Sequence, residues 1–243
     1  MEYDEIAGQY KEAATEERIH RKYVLIPTFI HFLGDVRNKS VLDLACGEGF
    51  WTRLIKGNGA ATAAGIDSSK KMVGLARDKE EECPLGIEYS VHDVASLPRL
   101  GEFDLITAMF LLHYARTRDE LSAMCDNIFS NLKAGGRFLS VNISPVHPLQ
   151  NDKRYEFTRE AKGPLKEGDA MTTTIFKEGV ELCSFRVYFW KKETYEIALE
   201  KAGFRAIRWY HPIISKEGIA QFGLDFWKEY LETPANVVLE CGK

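Results

Sequence analysis

Val41-Leu42-Asp43-Leu44-Ala45-Cys46-Gly47-Glu48-Gly49-Phe50 reads as a buried strand that stops abruptly in a glycine turn and continues as a helix. Val41, Leu42 and Leu44 form the short apolar run of a parallel strand covered on both faces. Gly47 and Gly49 let the backbone turn sharply and leave room for a ligand against main-chain atoms. A helix from Trp51 to Asn58 then points its positive N-terminal end at the same place. The expectation is an α/β sheet with a nucleotide-like ligand at its carboxyl edge.

Two chemistries use this geometry. A dinucleotide turn reads G-x-G-x-x-G, its third glycine allowing close packing of helix on strand. Gly47 and Gly49 fit the first two places, but Thr52 stands at the third beside bulky Phe50 and Trp51, and Asp43 lies outside that pattern. Asp43-Leu-Ala-Cys-Gly47-Glu-Gly49 instead resembles motif I of the class I S-adenosylmethionine-dependent methyltransferases, with Ala45 where that family often has its first glycine, and the resemblance implies that Asp43, Ala45, Cys46, Gly47 and Gly49 contact the cofactor.

Later segments extend the resemblance. Ala63-Ala64-Gly65-Ile66 ends in Asp67, where an open nucleotide-binding sheet places a carboxylate for the ribose hydroxyls; the alternative is a helix cap. Ser68 or Ser69 can cap the next helix, in which Met72, Leu75 and Ala76 recur at helical spacing. A third strand, Ile87 to Val91, leads into His92-Asp93-Val94. There the resemblance implies an Asp that accepts from the adenine amino group, whereas a plain turn residue is the other reading of Asp93. Phe103 to Phe110 is the fourth strand, whose end (Ala108, Met109, Phe110) the family uses as the floor of the transfer site. An amphipathic helix, Leu121 to Leu132, precedes a fifth strand, with Gly135-Gly136 read as its left-handed stop.

The resemblance implies S-adenosyl-L-methionine as cofactor, S-adenosyl-L-homocysteine as its product, and a Rossmann-like sheet of seven mostly parallel strands with helices on both faces. A single domain over 1–243 is expected: an N-terminal helical lid (1–36), a cofactor-binding half (37–143), a substrate-covering insertion (144–190) and a C-terminal completion of the sheet (191–243). Composition agrees: 243 residues, 45% hydrophobic and 28% charged, can bury one substantial core. A net charge of −4 argues against a nucleic-acid partner. Lys79-Glu80-Glu81-Glu82 reads as the solvated end of a helix. Five scattered cysteines suggest neither a disulfide framework nor a zinc site, and Cys46 reads as a small buried residue. Without a signal region or spanning apolar run, a reducing, cytoplasmic location with no membrane and no metal is expected, as a monomer or weak homodimer.

The acceptor side is read from the ends of the chain. Tyr3-Asp4-Glu5-Ile6-Ala7-Gly8-Gln9-Tyr10 matches the opening that many small-molecule methyltransferases carry as a lid over the cofactor; a helix packed on the surface is the alternative. A helix from Thr15 to Leu33 brings His20, Arg21 and Tyr23 near, with Arg21 either pairing with the methionine carboxylate or a solvated charge. In the insertion, Met171 to Lys177 and Glu181 to Trp190 read as a hairpin around Glu178-Gly179. Lys192 to Ala202 is a helix stopped by Gly203; Phe204 to Tyr210 and Ala235 to Glu240 are strands, with a helix from Phe222 to Leu231 between them.

The Tyr3-to-Tyr10 opening, Leu42 to Gly49, Pro84 to Tyr89, Phe226-Trp227 and Leu239-Glu240-Cys241 resemble the toxoflavin synthase group of N-methyltransferases. That implies methylation of a ring nitrogen on a planar azaheterocycle. Met109-Phe110-Leu111-Leu112-His113 lacks the Pro-Pro signature of amino-group methylation on bases or glutamine, so a small molecule is the expected acceptor. His113, Tyr114, Asn142 and Trp190 are the substrate-binding candidates, and His113, then His147, the candidate bases, although a lone histidine is more often structural. Alternatives are O- or C-methylation of another metabolite, a non-catalytic cofactor-binding regulator, or an NAD-dependent oxidoreductase.

Overall fold

The computed structural model describes Asp4, Gly8 and residues 17–243. Tyr3 and Tyr10, and the rest of the Tyr3-to-Tyr10 opening apart from Asp4 and Gly8, lie outside the described residues. Asp4 accepts from Ser69 Oγ at 2.7 Å and from the Lys71 amide at 3.3 Å.

Seven strands make the main sheet: β1 (Ser40–Leu44), β2 (Thr62–Asp67), β3 (Glu88–Val91), β4 (Phe103–Met109), β5 (Leu132–Ile143), β9 (Arg205–Tyr210) and β10 (Asn236–Gly242). A second sheet holds β6 (Phe157–Ala161), β7 (Ala170–Lys177) and β8 (Val180–Tyr188). The main sheet runs β3-β2-β1-β4-β5-β10-β9. Its first five members are parallel, and β10 is antiparallel to both β5 and β9. Strand order reverses direction about β1, with β2 on one side and β4 on the other, which opens a crevice beyond their carboxyl ends.

Helices α1 (Ile26–Leu33), α2 (Phe50–Gly57), α3 (Lys70–Glu82), α4 (Arg118–Ser130), α5 (Lys192–Ala202), α6 (Lys216–Phe222) and α7 (Leu224–Glu232) complete the fold. Alternation along each strand divides its side chains between two cores. Leu42, Leu44, Ile106 and Phe138 pack with Leu121 and Ile128 of α4 and Leu199 of α5. Val41, Leu105, Leu139 and Val141 pack on the other face with Phe29 and Leu33 of α1 and Ile55 of α2. A third core joins Tyr23 and Val24 to Tyr155, Phe157, Trp227 and Tyr230, tying the small sheet to the C-terminal helices.

Five local readings are corrected. The insertion is a three-stranded sheet rather than a hairpin, because β6 pairs antiparallel with β7. Gly135-Gly136 does not stop the preceding helix. That helix ends at Asn131, whose side chain accepts from the Leu100 amide and donates to the Pro98 and Asn127 carbonyls. Gly135, at φ +76°, forms a bulge inside β5, where Phe103 pairs with Leu132 but Leu105 pairs with Arg137. The expected helix from Phe222 to Leu231 starts two residues later, at Leu224, and Gly223, φ +80°, separates it from an unexpected helix, Lys216–Phe222, capped by Ser215. In the segment read as a helix from Thr15 to Leu33, a π-helical turn, Arg21–Leu25, precedes α1. Finally, Glu80 is not merely solvated: its Oε1 accepts from the amides of Leu85, Gly86 and Ile87, and its Oε2 from Arg53.

Candidate functional site

The crevice at the end of β1 and β4 deepens into a cavity of about 520 Å³. Its first wall is the glycine turn. Ala45 and Gly47 both take positive φ, +53° and +56°, and both line the cavity with Cys46 and Glu48. A Cβ on Gly47 would meet no atom within 4 Å, so the space beyond it is open to a ligand. Gly49 differs: at φ +87° its Cβ would stand 2.7 Å from Tyr89 Oη, and it does not line the cavity. Its requirement is packing, not ligand contact.

Asp43 also stays outside the cavity lining, contrary to its assignment as a ligand contact. Its carboxylate is buried under the turn and accepts from Thr52 and Thr107 hydroxyls, each at 2.7 Å. Thr52, the residue that breaks the dinucleotide pattern, thereby gains a structural role. Burial pushes the Asp43 carboxyl up to about 7; the two hydroxyls oppose the shift and Asp67 adds to it.

Asp67, at the end of β2, lines the cavity with Ser68, and its carboxylate bridges two backbone amides. Oδ2 accepts from Gly47 N at 2.9 Å and Oδ1 from Ser69 N at 2.8 Å. Burial raises its pKa, and those two amides pull it back. Of the two serines, Ser69 is the α3 cap, accepting from Met72 N. Met72, His92, Asp93 and Val94 form the next wall. Asp93 Oδ1 accepts from Ala95 N at 2.9 Å, as a turn residue would, while the side chain remains exposed at the cavity edge.

Arg21 is not a solvated charge. It is 6% exposed, lies over Phe50 at 4.1 Å and Trp51 at 5.3 Å, and pairs with Glu48 at 3.5 Å. Glu48 is held more closely by Lys79, at 2.6 Å. Arg21 lines the cavity, and its buried Nε has no partner among the described residues.

At the far end of β4, Met109 and Phe110 line the cavity, Phe110 at a strained φ of +65°. Ala108 does not; it is wholly buried in the sheet. His113 and Tyr114 follow on a short 3₁₀ turn and both line the cavity. His113 is 1% exposed, its Nδ1 has no partner among the described residues, and burial, then the Arg159 charge, hold it neutral. Its basicity is therefore reduced, which suits a hydrogen-bonding group better than a proton acceptor.

Three acceptor-side expectations fall outside the cavity lining. Asn142 alternates with Ile143 on β5, so Ile143 reaches the cavity and Asn142 points to the opposite face, its amide without partners among the described residues. Trp190 turns its indole N–H to the Ala115 carbonyl at 2.9 Å. His147 is exposed in the loop beyond Pro145. From the insertion's small sheet, Phe157, Arg159, Thr173, Ile175 and Val187 all line the cavity, and of these Arg159, Thr173, Ile175 and Val187 were not singled out from the sequence. Among the described residues, no cluster of three metal-ligating side chains occurs, and no helix is long and apolar enough to cross a membrane.

Comparison with known proteins places the chain in a methyltransferase family. Residues 41–136 match a family model described as a methyltransferase domain. Demethylmenaquinone methyltransferase of Lactococcus lactis is 31% identical over 181 residues, spanning 73% of this chain and 70% of that one. N-demethylindolmycin N-methyltransferase of Streptomyces griseus is 28% identical, over 70% of this chain and 71% of that one. Among solved structures, an S-adenosylmethionine-dependent methyltransferase of Mesorhizobium loti superposes with a TM-score of 0.66 at 20% identity, covering 94% of this chain and 99% of that one.

Proposed function

Because this chain belongs to the class I S-adenosylmethionine-dependent methyltransferases, we propose that its cavity serves methyl transfer to a ring nitrogen of a small planar azaheterocycle. The observation that carries this reading is a single cavity running from Gly47, Asp67 and Asp93 at one end to His113, Tyr114 and Phe157 at the other. Two ligands meeting end to end would bring their reacting atoms together beside Phe110.

The residues at the first end fit the cofactor. Gly47 leaves an open approach to the backbone, and Asp67 offers carboxylate oxygens to the two ribose hydroxyls. Asp93 Oδ2, not engaged by any described residue, suits the adenine amino group, with Met72 and Val94 as apolar walls. Arg21, already loosely paired with Glu48, has an unpartnered Nε for the methionine carboxylate. When bound, S-adenosylmethionine supplies a methyl group on an already activated sulfonium. The chain's own task is then alignment and exclusion of water, worth several kcal/mol, without covalent chemistry.

Beyond Phe110 the wall is aromatic on several sides, from Tyr114, Phe157, Phe185 and Tyr188. Flat rings are held well by such surfaces plus a few placed polar groups. The heterocycle assignment is further supported by the resemblance to the toxoflavin synthase group and by the N-methyltransferase among the relatives. A ring N–H that ionises reacts as its anion, so a weakly basic His113 need only donate or accept a hydrogen bond.

A radiolabelled methyl-transfer screen over small-molecule classes tests the proposal. Transfer to azaheterocycles with an ionisable ring N–H is expected, and none to aliphatic amines, peptides or nucleic acids. Transfer confined to phenols, carboxylates or protein would remove the heterocycle assignment.

A further inference from the structure

Arg159 projects from β6 into the interior with 3% of its surface exposed, and it lines the acceptor end of the cavity. Its Nε donates to Thr173 Oγ1 at 3.1 Å, and its Nη1 donates to the carbonyls of Pro148 at 2.9 Å and Ala235 at 3.1 Å. Nη2 donates to Asn236 Oδ1 only at 3.4 Å. A guanidinium has five N–H donors, so four are engaged and the one left is on Nη2.

All four acceptors are neutral. Among the described residues, the groups that favour the Arg159 charge are the phenols of Tyr230, Tyr114 and Tyr195, and no carboxylate is among them. The cavity's own carboxylates are committed at other places. Glu48 holds Arg21 and Lys79, Asp67 and Asp93 accept from backbone amides, and Glu120 accepts from the Arg116 amide. Burial pulls the guanidinium down to about 10, as expected of a cation with no counter-charge among the described residues. Facing the same space is the buried His113, whose Nδ1 has no partner among the described residues. Arg18 and Arg186, which also line this end, have partners of their own.

We propose that the acceptor binds as an anion and that Arg159 selects it, presenting the Nη2 N–H to an anionic oxygen while His113 Nδ1 meets a neighbouring polar atom. The anionic oxygen belongs either to a carboxylate on the ring or to a deprotonated ring amide. The inference rests on the reading of this cavity as a methyl-transfer site, and it names the property by which that site sorts its acceptors. A neutral ring of the same shape would leave the buried charge uncompensated and bind more weakly.

Calorimetric titration of the purified protein, with and without saturating S-adenosylhomocysteine, tests this on matched pairs. Nicotinate is set against nicotinamide, and the lumazine anion against neutral 1,3-dimethyllumazine. At least one anion should bind roughly tenfold or more tightly than its neutral partner, as charge-assisted hydrogen bonding in a desolvated site requires. Preference for nicotinate alone assigns the charge to a carboxylate; preference for the lumazine anion alone assigns it to the ring. In Arg159→Gln the ratio should fall toward one while S-adenosylhomocysteine affinity stays within about twofold, a split that a merely structural arginine would not produce. Equal binding of both members of both pairs to the wild-type protein overturns the proposal, whether or not the variant folds. So does discrimination that survives in Arg159→Gln. Absence of S-adenosylhomocysteine binding to the wild-type protein, with its anion discrimination intact and lost in Arg159→Gln, would instead remove the methyl-transfer reading and leave the anion site standing.

Discussion

Replacing Asp43 by asparagine keeps the side chain's size and removes a charge buried beneath the cofactor turn. Asp43 is 1% exposed and its two oxygens accept from Thr52 and Thr107. Burial moves its pKa from 3.8 to about 7. A carboxyl whose folded value lies above its unfolded value holds its proton more tightly in the folded chain. Its contribution to stability is therefore complete below pH 3.8 and is lost as pH rises through about 7. At about 1.4 kcal/mol per pH unit, the loss across that window is at most roughly 4 kcal/mol. Asparagine has no proton to lose, and one threonine hydroxyl need only rotate to accept from its Nδ2. Urea denaturation followed by tryptophan fluorescence at pH 5, 6, 7 and 8 measures both proteins. The stability of Asp43→Asn relative to wild type should rise steadily over this range and level off near pH 8. Parallel wild-type and variant profiles would show that Asp43 ionises normally, and would refute the burial argument.

Asp67→Asn should weaken S-adenosylhomocysteine binding by about 1.5–3 kcal/mol, roughly 10- to 150-fold, because a charged acceptor is lost from a partly desolvated wall. Unchanged calorimetric affinity would confine Asp67 to bridging the Gly47 and Ser69 amides. The two glycines should separate cleanly. Gly47→Val, which meets open space, should abolish cofactor binding at a folding cost of about 1–2 kcal/mol for a left-handed residue. Gly49→Ala, which drives a methyl into Tyr89, should lower the melting temperature by a similar or larger free energy and leave affinity nearly intact. Glu80→Ala should cost about 1.5–3 kcal/mol in denaturant titrations, since it strips an acceptor from the amides of Leu85, Gly86 and Ile87; a loss below about 0.5 kcal/mol would restore the solvated-surface reading.

The cofactor half was legible because its devices are local. A strand, a turn that needs positive φ, a helix cap and a carboxylate after the next strand are all written within some tens of neighbouring residues, from Val41 to Met72. Asp43 was found for the right turn but given the wrong duty, since sequence does not tell which face of β1 its side chain takes; pairing with Thr107 on β4 does. The acceptor end was poorly legible because it is made by long-range pairing. Phe157, Thr158 and Arg159 are all buried, so β6 has no alternation of apolar and polar residues to announce a strand. Arg159 reads in sequence as an ordinary surface cation, and only its approach to Pro148, Ala235 and Asn236 makes it an interior one. Asn142 was expected to offer a polar amide and Trp190 an aromatic face to the acceptor, and strand period and one indole hydrogen bond turn them elsewhere.

The most direct test of the central claim is calorimetric titration of the purified chain with S-adenosylhomocysteine and, separately, with NAD. The glycine turn alone is compatible with either ligand, while Thr52 at the third glycine position and the Asp67–Gly47 bridge favour the first. Expected is one-site binding of S-adenosylhomocysteine with no measurable heat from NAD. Saturable binding of NAD with none of S-adenosylhomocysteine would contradict the assignment of this cavity to methyl transfer.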